Sequence, residues 1–283
     1  MKIVHTISDL RETLAGKGRP AFVPTMGNLH EGHISLVHLA NDLGDISVVS
    51  IFVNRLQFLP NEDFGTYPRT WDADCEALRG ADCDVLFAPR ESDLYPEPQL
   101  FKVQPDPEIA DILEGQFRPG FFTGVCTVVM KLFSAVFATT GGGIAVFGKK
   151  DYQQLMIIRR MVTQFALPVE IVAGETHRAS DGLAMSSRNG YLSASEREQA
   201  SKLSDVLQRL AAVARSGEKS LEDFEAEAMR ELQATGWTPD YTTVRRSHDL
   251  QSPTAAELGS AVPLVVLGAA RLGATRLIDN IEL

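Results

Sequence analysis

Apolar positions in the first 173 residues fall into short continuous runs, separated by stretches of helical period. "PAFVPT" (20–25) and "ISVVSIFV" (46–53) are β-rich, and between them Ile34, Leu36, Val37, Ala40 and Leu43 recur at helical spacing, which makes a βαβ unit. "DVLFA" (84–88), "IAVF" (144–147) and "VEIVA" (169–173) are further strand candidates, while 123–137 and 151–166 have the length and composition of helices. Strands that are apolar throughout are covered on both faces. The prediction is therefore an α/β fold: a Rossmann-like, mostly parallel sheet with helices on both sides and ligands beyond the carboxyl ends of its strands.

After the polar, glycine-punctuated passage "RASDGLAMSSRNGYLS" (178–193) the pattern changes. Amphipathic helices over roughly 195–215 and 220–235 precede strands near 241–246, 262–268 and 274–279, a smaller C-terminal α+β domain. The break falls near 174–178, so the expected domains are 1–175 and 176–283, a split usual for a chain of 283 residues. No internal repeat is evident.

Charge narrows the choice of partners. A formal net charge of −10 argues against a broad nucleic-acid or anionic-membrane surface and leaves room only for a local basic pocket. Cys75, Cys83 and Cys126 show neither CxxC nor zinc-finger spacing, and an odd count does not make a disulfide framework. "MKIVHTISDL" lacks the apolar core of a signal peptide, and no uninterrupted apolar stretch reaches membrane-spanning length. A cytoplasmic protein without membrane or nucleic-acid partners is expected.

The candidate chemistry starts at "PTMGNLHEGH" (24–33), directly behind the first β-rich run. His30 and His33 are three apart, whereas a zinc-protease helix spaces its histidines by four and a catalytic zinc needs three protein ligands; no metal site is assigned. Gly27 and Gly32 permit close backbone approach, and the helix opening near His33 offers N–H groups and a positive dipole end, together a phosphate cradle. In "AMSSR" (184–188), Ser186 and Ser187 supply hydroxyls and Arg188 a planar fork. In "FGKKDYQQL" (147–155), Lys150 supplies a point charge, Asp151 a ribose or cap acceptor, and Gln154 follows one helical turn later. Asn54 and Gln57, in "VSIFVNRLQF" (49–58), are amides at a strand end suited to a hydroxylated carboxylic acid. Asp72 and Asp74 sit in the first turn of a helix, where the dipole alone explains acidic residues.

"HEGH" resembles the His-x-Gly-His signature of class I aminoacyl-tRNA synthetases and related nucleotidylyltransferases, and "AMSSR" resembles a variant of their second phosphate loop. Taken in order, "PTMGNLHEGH", "VSIFVN..QF", "YPRT", "LEG..RPG.F.GV", "FG.KD.QQL", "DGLAMSSRNGYL" and the ending "AARLGATRLIDN" resemble the pantoate–β-alanine ligase family over nearly the whole chain. The resemblance implies that pantoate and MgATP give pantoyl adenylate and pyrophosphate, and that β-alanine then gives pantothenate and AMP. It implies phosphate contacts from Met26, His30, His33, Lys150, Ser186, Ser187 and Arg188; adenosine contacts from Gly148, Asp151 and Met185; and pantoate contacts from Asn54, Gln57 and Gln154. ATP, Mg²⁺ and a homodimer are implied in the same way. Arg55, Phe121 and Lys149 depart from the family's usual Pro, His and Glu, which leaves a related adenylate-forming ligase for another acid or amine as the alternative. A weakened ATP-binding regulatory protein and a tRNA synthetase are further rivals, the latter disfavoured by the acidic chain.

Overall fold

The computed structural model describes residues 1–60, 62–216 and 220–283. Contacts divide it into two compact units: Met1–Lys149 with Ile157–Glu175, and Lys150–Met156 with Thr176–Leu283. Lys150 through Met156, placed by sequence with the first domain, thus packs with the second unit.

The N-terminal unit is built on six strands: β1 (Lys2–Val4), β2 (Pro20–Thr25), β3 (Ile46–Ile51), β4 (Val85–Phe87), β5 (Gly143–Gly148) and β6 (Val169–Gly174). They pair in parallel in the order β1-β4-β3-β2-β5-β6. The short edge strand β1 has too few apolar residues to stand out in the pattern. From β2 the chain goes to β3 on one side, and it later returns to β5 on the other. The carboxyl ends of β2 and β5 therefore flank the switch point where doubly wound sheets bind ligands.

Why these runs are strands follows from their two buried faces. Ala21 and Val23 of β2 join Leu36, Val37 and Ala40 of the helix Glu31–Leu43 in one core, with Val49, Leu86, Ile144 and Val146. Phe22, between them, points to the opposite face, where its ring meets Phe133 and Phe137 of the helix Phe121–Phe137 edge-on at 6.5 and 6.3 Å. Fully burying each such side chain contributes about 1.5–3 kcal/mol, so slipping β2 by one residue would trade these contacts away.

In the C-terminal unit β7 (Thr238–Arg246), β8 (Leu264–Leu272) and β9 (Thr275–Glu282) form an antiparallel sheet in that order. The helices Lys202–Ser216 and Leu221–Ala234 lay Leu203, Leu207, Leu210 and Leu232 into one core with Val244, Val266, Ala270 and Leu277. The stretch expected as one helix over 195–215 is two, Ala194–Gln199 and Lys202–Ser216, the first opened by a Ser193/Glu196 capping box.

Candidate active site

The turn after β2 is held by a buried carboxylate. Asp74, 3% exposed in the helix Trp71–Gly80, accepts the backbone N–H of Asn28 at 3.0 Å and of Leu29 at 2.7 Å, and the Thr70 hydroxyl at 3.1 Å. Thr25 closes the other side: its Oγ1 donates to Ser50 O at 2.7 Å and accepts from Gly27 N–H at 3.2 Å. Gly27 has φ +83°, and a Cβ there would come to 3.1 Å from the Asp74 carboxylate and from Ile51. The dipole reading of Asp74 is thereby corrected. Its carboxylate points inward and organises the turn, a role that burial reveals and sequence position does not.

His30 is the N-cap of the helix Glu31–Leu43, and His33 lies in its first turn with the two ring centroids 4.0 Å apart. His33 Nδ1 accepts the His30 backbone N–H at 3.3 Å. An accepting Nδ1 bears no proton, so the neutral imidazole carries it on Nε2, where the ring is a hydrogen-bond donor. A donor beside a helix N-terminus is suited to phosphate oxygens.

A relay of amides lies in the same unit. Burial pushes the Tyr95 phenol well above its usual range, so it remains protonated and donates to Asn54 Oδ1 at 2.9 Å. Asn54 Nδ2 donates to Gln57 Oε1 at 3.1 Å and Gly124 O at 3.2 Å, and Gln57 Nε2 reaches Met26 Sδ at 3.0 Å. Asn54 is only 1% exposed, and its two N–H groups hold the Gln57 amide and the Gly124 carbonyl. Gln57 Oε1 is taken by Asn54, while its Nε2 is a donor. The helix Phe121–Phe137 passes so close that a Cβ on Gly124 would collide with Leu56 O and lie 2.8 Å from Gln57 N.

The departures from the family pattern are all engaged elsewhere. Arg55 Nε pairs with Glu91 at 3.2 Å, and its guanidinium lies over the Phe64 ring at 4.2 Å. Phe121 receives the Arg118 guanidinium on its face at 3.7 Å, while Arg118 holds Glu62 at 2.6 and 2.8 Å and Gln57 O at 3.1 Å. Lys149 pairs with Glu175 at 2.6 Å.

Gly148 closes β5 in the N-terminal unit, and the remaining expected residues lie in the other. Lys150 and exposed Asp151 form a single turn, and half-buried Gln154 follows in the helix Tyr152–Gln164. Met185 N–H donates to His177 O at 2.9 Å, ending a hairpin that delivers Ser186. Ser186 Oγ accepts the Arg188 N–H at 3.2 Å and caps the turn Ser187–Tyr191. Lys150 and Ser186 line one narrow cavity with Asn189, Ser204 and Asp279.

Other chemistries find less support. Among the described residues no group of three or more His, Cys, Asp and Glu side chains is placed to hold a metal ion. All three cysteines are buried, and burial pushes the Cys83 and Cys126 thiols to about 11 and about 12, away from thiolate near neutral pH. No helix among the described residues is long and apolar enough to cross a membrane.

A doubly wound parallel sheet with a histidine turn at its switch point, and separately a lysine and a capped serine–arginine loop, define the class: a nucleotide-using α/β enzyme whose donors suit phosphate. A family profile described as Pantoate-beta-alanine ligase matches residues 2–282, and the chain belongs to that family. It is 67% identical over 286 residues to the pantothenate synthetase of Paracidovorax citrulli (strain AAC00-1) and 62% identical over 282 residues to that of Verminephrobacter eiseniae (strain EF01-2), covering 100% of each chain in both cases. Its fold matches the crystal structure of pantothenate synthetase from Thermus thermophilus with a TM-score of 0.91 and 39% identity, over 100% of this chain and 99% of that one. The pantoate-beta-alanine ligase of Francisella tularensis, whose crystal structure is a complex with beta-gamma ATP and beta-alanine, matches with a TM-score of 0.80 and 36% identity, over 99% and 97%.

Proposed function

We propose that the chain condenses pantoate with β-alanine at the expense of ATP. A pantoate carboxylate oxygen attacks the α-phosphorus of MgATP, and the bond to pyrophosphate breaks. The β-alanine amine then attacks the activated acyl carbon, loses a proton and displaces AMP, leaving pantothenate. No step needs a covalent enzyme intermediate, in keeping with a site rich in donors and without a poised nucleophile.

The observation that carries this reading is the donor set itself: His33 with its proton on Nε2, and Lys150 on the same cavity as capped Ser186. As negative charge moves onto the departing pyrophosphate, fixed donors stabilise it more than they stabilise bound ATP. His30, Met26, Ser187 and Arg188 complete the phosphate contacts, and Gly148, Asp151 and Met185 hold the adenosine. Asn54, Gln57 and Gln154 form the pantoate site, Gln57 and Gln154 addressing its hydroxyl and carboxylate and Asn54 also aligning Gln57. Residues 1–175 thus bind nucleotide and acid, and 176–283 bring the second phosphate loop. Mg²⁺ would be held through the ATP phosphates, offsetting their charge. An enzyme of this kind belongs in the cytoplasm.

The test is mass-spectrometric identification of the product from ATP, Mg²⁺, pantoate and β-alanine. Pantothenate formed with one AMP per turnover supports the assignment; no AMP release with those substrates overturns it. A homodimer is also expected, and Leu100 and Phe101, 84% and 89% exposed, are apolar surface that a second copy would cover. Light scattering should give twice 30.9 kDa.

A further inference from the structure

Asp279 and Asn280 are consecutive residues of β9, 4% and 5% exposed and flanked in the strand by Ile278 and Ile281. Consecutive strand residues send their side chains to opposite faces, so these two reach different parts of the C-terminal unit. The Asp279 carboxylate accepts Nη1 and Nη2 of Arg178 at 2.7 and 2.8 Å, a two-pronged pair with fixed geometry. Arg178 also donates to Gly182 O at 3.0 Å, Ser204 Oγ at 3.3 Å and Asn280 O at 3.1 Å.

What Arg178 anchors is the hairpin that presents the serine–arginine loop. Arg178 bridges Ala184, Ala179 N–H donates to Leu183 O at 2.9 Å, and Gly182 N–H donates to Ala179 O at 2.9 Å. The returning limb of that hairpin runs straight into Met185 and Ser186. On its other side, β9 holds Lys150: Asn280 Nδ2 donates to Lys150 O at 2.8 Å. One residue beyond that turn, the Tyr152 hydroxyl donates to Glu282 Oε1 at 3.2 Å, a second tie to the same strand. The Asn280 backbone N–H donates to Asp279 Oδ1 at 2.8 Å, which joins the two anchors into one unit.

We propose that Arg178, Asp279 and Asn280 are positioning residues that set the Lys150 ammonium in register with Ser186, Ser187 and Arg188. Lys150 follows β5 in the chain, yet its backbone is fastened to the strand that fastens the hairpin. Two phosphate-binding segments more than 25 residues apart in sequence are thereby referred to a single dipeptide. Each acts through the group it holds. The inference rests on the phosphate role proposed above for Lys150 and Arg188.

Pantoate-dependent exchange of labelled pyrophosphate into ATP tests it, with purified full-length variants. Asn280→Ala removes the bond to Lys150 O, and should lower kcat by about 10- to 10²-fold, the scale of a small misplacement of a reacting group, with the KM for pantoate unchanged. In a Lys150→Ala background the same substitution should have no further effect, because a residue acting through Lys150 has nothing left to act on. Arg178→Lys, which keeps a positive charge beside Asp279 but loses the fork, should likewise slow exchange alone and add nothing to Arg188→Ala. If Asn280→Ala multiplies its full factor onto Lys150→Ala, or has wild-type turnover, the positioning role is overturned and the proposed reaction stands. If Lys150→Ala itself exchanges at the wild-type rate, the phosphate role of Lys150 falls and this inference with it.

Discussion

The histidine turn and the serine–arginine loop are offered the same task and are built by opposite means. In the first, a buried carboxylate receives backbone N–H groups: Asp74 takes those of Asn28 and Leu29, and the imidazoles follow on the helix the turn opens. In the second, a side-chain ion pair hangs a hairpin on a strand: Arg178 reaches across to Asp279. Backbone capture fixes every atom of a short turn and leaves the side chains to chemistry. An arginine fork fixes one end of a longer loop and leaves its tip to local capping by Ser186. The difference predicts that the histidine turn is sensitive to changes in what surrounds it, and that the serine–arginine loop is sensitive mainly at its anchor.

The largest effect expected is at the donors themselves. Removing one preorganised donor from a developing phosphate charge costs about 10²-fold or more in rate, so His33→Ala and Lys150→Ala should each lose that much in pyrophosphate exchange. Gln57→Ala should instead raise the KM for pantoate and leave ATP affinity nearly intact. The reverse ranking would contradict the partition of the site between phosphate donors and acid-binding amides.

Next in size is Asp74→Asn, which keeps the shape and turns one acceptor into a donor facing the N–H of Asn28 or Leu29. A buried donor left without its partner costs about 1–3 kcal/mol, so the denaturation midpoint should fall and exchange should slow even though no substrate contact is removed. Wild-type exchange in this variant would mean the turn holds itself together without the carboxylate.

The parts legible in the sequence were those written in local pattern. β2 and β3 begin where their apolar runs begin, because strands buried along nearly their whole length leave few polar residues to blur the signal, and β6 begins with its own run although Glu170 is exposed. The histidine turn and the "AMSSR" loop were found because glycines, hydroxyls and cations cluster there in short spacings. Asp74, Tyr95, Arg178 and Asn280 were not found, since each acts on a partner more than 25 residues away and looks ordinary among its neighbours. Asn54 shows the same limit from the other side: the sequence marks it as polar at a strand end, and only burial shows that it faces Gln57.

The smallest effect separates anchor from ornament within the serine–arginine hairpin. Asp181, in the hairpin's turn, pairs with Arg197, but the two side chains are 38% and 40% exposed. An exposed pair of this kind contributes at most about 1 kcal/mol, because water and salt screen it. Arg197 holds the Asp181 carboxyl below its usual range, so whatever the pair contributes is present at neutral pH and is lost only as pH falls through the low carboxylate range, below about 4. Asp181→Asn should therefore leave exchange at neutral pH within about twofold of wild type, with a stability difference that shrinks on acidification. A loss at neutral pH comparable to that of Arg178→Lys would place the hairpin's anchor at its exposed turn instead of at β9.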